Sequence, residues 1–372
     1  MAAEDSKFNS NILISPLDWG LGHATRCITI IKALQQKGCR VIVATSGFHQ
    51  VLLQQEFPEL LFLPLQGYGI KYTKKNMMLG LLFQLPKFFN RIKNENSWVQ
   101  KVVTEYSIDA IVSDNRYGLY AKNVHSIFIT HQLQPKLPKV FAWMENFVRN
   151  RLYNSINKFD QCWVPDVENE QYALAGSLSH PLRLPKIPVR YIGWLSRFKY
   201  LGIQQKKYRV IICLSGPEPQ RTLLEAIVLP QLKDIVGDVL LIRGLPGAAT
   251  LPQMPANALV ANHLGTKDLE EAFLKSEYVV SRSGYSTLMD MKVLGCKCIY
   301  VPTPGQTEQE YLGKILAKQK IALVKTQADF NLVSALQEAD AFEFAENEKY
   351  KNNAMEPVIS DWLQKIANKK MR

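Results

Sequence analysis

The sequence predicts an α/β protein built as two parallel-sheet domains, and three observations carry that expectation. Short, β-rich apolar runs alternate with stretches of helical period along most of the chain. The alternation stops once, in a proline-rich segment near the middle, and then starts again. The length, 372 residues, exceeds what a single hydrophobic core ordinarily serves.

The first apolar run, "NILISPL", leads into a helical pattern, and "CRVIVATSG" and "IDAIVSD" each do the same. "HSIFITHQ" and "QCWVPD" read as further strands. The rhythm breaks at "SHPLRLPKIPVRYIGWLSRFKYLG", where Pro181, Pro185 and Pro188 deny a regular helix or a central strand. It resumes with "YRVIICLSG", a helix through "PQRTLLEAIVLPQL", "GDVLLIRG" and "NALVANHL". A helix "TKDLEEAFLKS", then "EYVVSRSG", "KCIYVPTPG" and "IALVKT" with intervening helices complete the second half. The expected organisation is a first domain over 1–184, a linker over 185–200, a second domain over 201–345, and a last helix within 346–372 packed across the junction.

Composition narrows the classes. With 47% hydrophobic and 21% charged residues the chain reads as globular. The polar, acid-containing start "MAAEDSKFNSN" does not read as a signal peptide, and no run approaches the roughly 18 apolar residues of a spanning helix. Six cysteines lie far apart except Cys296 and Cys298, and no second Cys/His pair completes a zinc site, so a reduced cytoplasm is expected. The net charge of +12 favours anionic partners. Leu60 to Asn94 holds no acid, while Lys71, Lys74, Lys75, Lys87, Arg91 and Lys93 surround the oily "MMLGLLFQLPKFF". Buried core is the plainer reading of that stretch, and a peripheral contact with a membrane the sharper one.

Ligands of parallel α/β sheets sit beyond the carboxyl ends of strands, where backbone amides at helix N-termini favour anions. Three strand-to-helix turns have that character: Gly20-Leu21-Gly22-His23, Ser215-Gly216-Pro217-Glu218 and Ser281-Arg282-Ser283-Gly284. The first fails as a dinucleotide fingerprint, since Thr25 stands where a third glycine belongs and no acid ends "CRVIVATSG". The chain has no phosphate-loop motif, and "SGYST" does not complete a serine-hydrolase elbow.

"GLGHATR", "SRSGYSTLMD" and "PTPGQTEQEY", in that order and with roughly 260 residues between the first two, resemble the two-Rossmann-domain glycosyltransferases of the GT-B fold. The branch most similar contains the lipid-linked UDP-N-acetylglucosamine transferase of peptidoglycan synthesis. The resemblance implies two Rossmann-like domains facing across a cleft, with the acceptor on the first and the nucleotide sugar on the second. His23 then lies near the reacting centre, with Gly20, Gly22, Asn115 and Arg116 on the acceptor side. The diphosphate is expected at Ser283, Gly284, Tyr285 and Ser286, with Gly216 in the facing turn, and the ribose at Asp290, where the family usually has glutamate. Gln306, Glu308 and Gln309 match the donor-sugar loop, and Gly313 replaces an asparagine common there. The implied context is cell-envelope glycan synthesis by a cytoplasmic enzyme, at the inner face of the membrane if the acceptor is lipid-linked.

Sugar transfer from a nucleotide diphosphate needs a base for the acceptor hydroxyl and a counter-charge for the leaving diphosphate. A helix N-terminus with Ser283 and Ser286, helped by Arg282 or Arg221, would meet the second need without a metal or other cofactor. His23, His131 and Asp114 are the candidate bases, histidine being closest to neutrality; helix capping is the plain alternative for His23. The expected activity is an inverting, metal-independent transfer of a sugar, from a donor expected to be uridine-linked, to an acceptor hydroxyl. The alternatives are a nucleotide-sugar epimerase of the same fold, which would convert its substrate with no acceptor, and a non-enzymatic nucleic-acid-binding protein. No basic-aromatic motif supports the latter, so no nucleic acid is expected as a partner.

Overall fold

The computed structural model describes residues 8–18, 20–69, 77–200, 202, 204–346 and 352–370, with backbone alone for 77–86. It divides into two compact units, one running to Leu195 and taking in the C-terminal helix, the other starting at Ser196.

The first unit is a seven-stranded, wholly parallel sheet. Its strands are β1 (Asn11–Pro16), β2 (Arg40–Thr45), β3 (Leu61–Pro64), β4 (Ala110–Asp114), β5 (His125–Ile129), β6 (Gln161–Val164) and β7 (Val189–Tyr191), in the spatial order β3-β2-β1-β4-β5-β6-β7. β1 and β4 are nearly continuous runs of Ile, Leu, Val and Ala because both faces of a parallel sheet are covered. α1 (Gly22–Gln36) and α2 (Gly47–Glu56) link the first three strands. α3 (Met77–Glu105) precedes β4, and α4 (Glu145–Ile156) follows β5 after a 3-10 turn over Lys139–Met144.

Two differences from the sequence reading have simple causes. The helix expected after "IDAIVSD" is absent: residues 115–124 form turns and one isolated bridge, Ala121 with Val124. The long α3 already covers that part of the sheet, placing Val99 and Val102 against Ile111 and Leu119. Within the proline-rich stretch, Val189–Tyr191 adds itself to β6 as an edge strand, a position that tolerates a preceding proline.

The second unit repeats the plan with six parallel strands: β8 (Tyr208–Cys213), β9 (Val239–Ile242), β10 (Ala258–Ala261), β11 (Ser276–Ser281), β12 (Lys297–Tyr300) and β13 (Leu323–Val324). Their order is β10-β9-β8-β11-β12-β13. α5 (Gln220–Val228), α6 (Thr266–Leu274), α7 (Tyr285–Leu294), α8 (Thr307–Lys318) and α9 (Leu332–Ala341) accompany them. In both units the strand order reverses beside the first strand, between β1 and β4 and between β8 and β11. A parallel sheet opens a crevice at such a point because the helices on either side leave in opposite directions.

The last helix, α10 (Met355–Lys370), returns to the first unit. Val358, Ile359, Trp362, Leu363 and Ile366 are all buried, Trp362 edge-on to Trp163 at 5.2 Å and donating its indole N–H to His125 Nδ1 at 3.0 Å. Lys370 pairs with Asp109 at 2.6 Å. Among the described residues no helix is long and apolar enough to cross a membrane.

Candidate functional site

At the switch point of the first sheet, β1 runs into the glycine turn and β4 ends on Asp114. Gly20 takes φ +77°, open to a glycine and strained for other residues, and its carbonyl accepts a hydrogen bond from His49 Nε2 at 2.8 Å. His49 is itself buried on α2, so the turn is fixed from behind. α1 then opens at Gly22, and one turn of helix puts His23 and Arg26 on the same face.

These two side chains converge on Asp114, which is fully buried. His23 Nδ1 lies 3.1 Å from Asp114 Oδ2, Arg26 Nε donates to the same oxygen at 2.7 Å, and Arg26 Nη2 donates to Oδ1. Arg26 Nη1 also reaches His131 Nδ1 at 3.3 Å, just beyond the end of β5. The three base candidates, His23, Asp114 and His131, therefore share one cluster, and Arg26 is its centre. Arg26 had a signal in the sequence, its place three residues after His23, but a local pattern cannot reveal a partner 88 residues away.

The electrostatics separate Asp114 from His23. Burial alone would raise the Asp114 pKa, but Arg26 and then His23 overcome it and hold the carboxyl well below its ordinary range. A carboxylate so held is ionised near neutral pH. Burial lowers the His23 pKa; Asp114 pulls it back up and Arg26 pushes it further down. His23 Nδ1 can donate to Asp114 or accept from Arg26 Nη2 at 2.8 Å. The first choice leaves the Nε2 lone pair open for a proton, and the side chain is 14% exposed, enough to be reached.

Asn115 and Arg116 have different surroundings. Asn115 turns the chain with φ +55°. Arg116 points inward, 1% exposed, bonding Glu95 at 2.6 Å, the Gln66 carbonyl at 2.9 Å and the Pro16 carbonyl at 3.3 Å. Glu95 also accepts from Tyr68 Oη and from the Gly118 amide. A guanidinium with its donors spent this way braces the strand-end loops and presents no charge to an acceptor.

The second unit gathers its candidates at the ends of β8, β11 and β12. Gly284 caps the ten-residue α7 in an extended conformation, and a Cβ built there meets nothing within 4 Å. Gly216, at φ +105°, faces Thr303, whose Oγ1 would lie 3.6 Å from such a Cβ. Thr303 Oγ1 is buried and has no hydrogen-bond partner among the described residues. Open space at the head of a helix, and an orphaned hydroxyl opposite Gly216, are each features that an anion with several oxygens would satisfy. Ser283 and Tyr285 are buried, Ser283 Oγ donating to the Gln309 carbonyl at 2.9 Å. Ser286 stands in the first turn of α7.

The two candidate cations differ. Arg221 is buried between Glu218 at 2.6 Å and Glu225 at 2.9 Å, so its charge is neutralised inside the unit. Arg282 has no carboxylate partner among the described residues. It bonds the carbonyls of Gln220, Val301 and Pro302 and the Gln327 amide oxygen, and its buried Nε is unpartnered. Burial pulls its pKa down to about 10, still charged near neutrality.

Asp290 sits on α7, its Oδ1 accepting from Ser196 Oγ at 2.6 Å. Burial pushes its pKa up to about 6, against the opposing pull of Arg197. At the start of α8, Gln309 Oε1 accepts from the amide of Thr303 in the loop after β12 at 2.9 Å, and its Nε2 donates to Gln306 at 2.6 Å; Glu308 precedes it in the first turn of the helix. Gly313 is a packing position, since a Cβ there would come within 3.1 Å of Pro302 Cγ and 3.2 Å of Val324 Cγ1. Among the described residues no group of three or more His, Cys, Asp or Glu could hold a metal.

Comparison with known proteins agrees with this architecture. Residues 264–363 match the model of the glycosyltransferase family 28 C-terminal domain. A UDP-N-acetylglucosamine–N-acetylmuramyl-(pentapeptide) pyrophosphoryl-undecaprenol N-acetylglucosamine transferase of Haemophilus ducreyi is 25% identical over 333 residues, covering 85% of this chain and 86% of that protein. A glycosyltransferase of Methanosarcina acetivorans is 23% identical over 322 residues, 78% of this chain and 79% of its own. Among solved structures, Acinetobacter baumannii MurG superposes with a TM-score of 0.55 at 15% identity, over 96% of this chain and 99% of its own. The glycosyltransferase SnogD of Streptomyces nogalater gives 0.60 at 14% identity, over 97% and 100%. The shared fold is GT-B.

Proposed function

We propose that this chain, a glycosyltransferase of the GT-B type, moves a sugar from a uridine diphosphate donor held on its second unit to an acceptor hydroxyl, inverting the anomeric carbon without a metal. The observation that carries the reading is the open Gly284 turn at the head of α7, backed by the buried, acid-free Arg282. Amide dipoles and that fixed charge favour a diphosphate and favour it more as its bond to the sugar breaks. Asp290 takes the ribose hydroxyls, and Gln306, Glu308 and Gln309 take those of the sugar.

On the first unit His23 acts as the base and Asp114 as its anchor. The acceptor oxygen attacks C1 as its proton passes to His23 Nε2; the bond from C1 to the β-phosphate oxygen breaks, and the nucleoside diphosphate departs with that electron pair. Asp114 and Arg26 hold the imidazole, and the carboxylate stabilises the imidazolium. His131, linked through Arg26, positions the cluster. The names of the pyrophosphoryl-undecaprenol transferases among the relatives, and the basic composition, support a lipid-linked acceptor and work at a membrane surface. The basic stretch 71–93 first suggested such a contact, but residues 70–76 and the side chains of 77–86 lie outside the described residues; Phe88, which follows, packs against Tyr68 at 4.9 Å between ring centroids.

Calorimetry with uridine diphosphate in the presence of a chelator tests the donor half. Binding that persists under chelation, is lost in Gly284→Leu and weakens about tenfold in Asp290→Ala supports it. Equal binding by Gly284→Leu would overturn it. Turnover of a uridine diphosphate sugar to its epimer with no acceptor present would overturn the transferase assignment.

A further inference from the structure

The chain leaving His131 leads into a surface that the catalytic reading does not use. Between Lys139 and Arg151, three large apolar side chains stand in water: Val140 is 74% exposed, Trp143 79% and Phe147 68%. Their spacing of three and then four residues, across the 3-10 turn and into α4, lines them along one stripe. The opposite face of α4 is buried through Arg149, Tyr153 and Ile156, so the stripe is not a frayed core. A tryptophan on the 3-10 turn and a phenylalanine on α4, both held outward, would be a burden on solubility unless something covers them.

The surrounding charge says what covers them. Arg151 continues the stripe one turn beyond Phe147, and Lys139 precedes Val140, both exposed. From His131 to Phe159 the single acid is Glu145, and its carboxylate is occupied by the Leu137 amide at 3.1 Å and Lys136 at 3.5 Å. Beside the same helix runs a second basic, apolar segment. Tyr153 Oη donates to the Arg183 carbonyl at 2.6 Å, and Asn157 accepts from the Lys186 amide at 2.8 Å, presenting Leu182, Arg183, Leu184 and Lys186 as exposed residues. Apolar side chains flanked along the chain by Lys139 and Arg151, with the local acid neutralised, complement an anionic lipid surface: the rings enter the headgroup boundary and the cations remain with the phosphates.

We infer that the Val140–Trp143–Phe147 stripe is a docking face for anionic membrane lipid. It builds on the reading of a lipid-linked acceptor and gives it an address on the molecule. α4 is tied to the connection leaving His131, since Arg149 Nη1 donates to Gln134 Oε1 at 2.9 Å. A helix resting on lipid would thus be braced against the segment that carries His131, and an acceptor anchored in that bilayer would arrive close to the first-unit cluster.

The test is flotation of the full chain with vesicles of phosphatidylcholine alone or mixed with phosphatidylglycerol, alongside calorimetry with uridine diphosphate on the same preparations. The wild type should float with the anionic vesicles alone, and with a blue-shifted tryptophan emission that Trp143→Phe removes; Trp163, Trp194 and Trp362 are already buried and Trp98 partly so. Trp143→Ser/Phe147→Ser should lower partitioning by about tenfold or more. Lys139→Glu/Arg151→Glu should lower it by a similar factor and flatten its dependence on salt. Both pairs should melt like the wild type and bind uridine diphosphate equally well, since the four side chains are exposed. Vesicle binding that both variants retain, or no vesicle binding by the wild type, would overturn the inference. So would light scattering that shows a wild-type dimer and a Trp143→Ser/Phe147→Ser monomer, because a second copy would then be the cover. Loss of nucleotide binding with vesicle binding intact would instead strike the donor reading and leave this one standing.

Discussion

Asp114 is the residue on which the first-unit cluster depends, and it does so as a charge. It is buried with Arg26, and a buried pair broken on one side leaves an uncompensated ion, at a cost of about 3–5 kcal/mol. Asp114→Asn is expected to destabilise the protein by that amount in urea titration, whereas His23→Gln, at a partly exposed position, should lower stability by less than about 1 kcal/mol. In turnover the ranking reverses its meaning: His23→Gln should reduce kcat by about 10²- to 10⁴-fold with uridine diphosphate affinity unchanged. The pH profile follows from the His23 shift. A value below the ordinary 6.5 keeps the imidazole neutral, and able to accept a proton, down to that pH. The acidic limb of kcat/KM should therefore have its midpoint below 6.5; a midpoint above 7 would show that Asp114 outweighs burial. The lowered Asp114 value works in the same direction on stability, whose share from this pair is full above pH 3.8 and is lost only as pH falls well below it.

At the scale of elements, two glycines of the second unit differ in what surrounds them. Gly284 has ordinary backbone angles and open space, so nothing in the fold demands a glycine there. Gly313, in the middle of α8, is hemmed by Pro302 and Val324. Gly313→Asn, which introduces the asparagine expected from the resemblance, should lower the melting temperature by several degrees through overpacking of about 1–3 kcal/mol. An unchanged melting temperature would show that α8 can shift. The same contact explains a departure that reads as a lost ligand in the sequence: the space an asparagine would need is filled by two neighbouring strand-end side chains. The acids around α5 are a parallel case: Glu218, just before the helix, and Glu225, on it, neutralise Arg221, whereas Arg282 has no acid partner among the described residues.

At the scale of the whole molecule, the chain visits the first unit twice. α10 contributes Val358, Ile359, Trp362, Leu363 and Ile366 to it, all under 8% exposed. At roughly 1.5–3 kcal/mol for each large apolar side chain, their loss is on the order of the entire stability of a domain. Deletion of Met355–Lys370 is expected to abolish the cooperative melting of the first unit while the second still melts and still binds uridine diphosphate. Retention of both transitions would show that the helix is an accessory.

The sequence by itself determined the α/β class and the doubled parallel plan, because burial on both faces of a strand and on one face of a helix leaves a period that can be read locally. It also brought forward His23, Asp114 and His131, each at a strand end where such sheets expose polar groups. Only the tertiary structure decided how those residues are joined. Arg26 joins all three, Arg116 is taken up by the buried Glu95, Gly313 is a packing glycine, and the stretch after β4 is left without a helix because α3 already fills its place. Each of these depends on a partner brought near by topology, often dozens of residues away, and charge pairing and close packing leave no periodic trace along the chain.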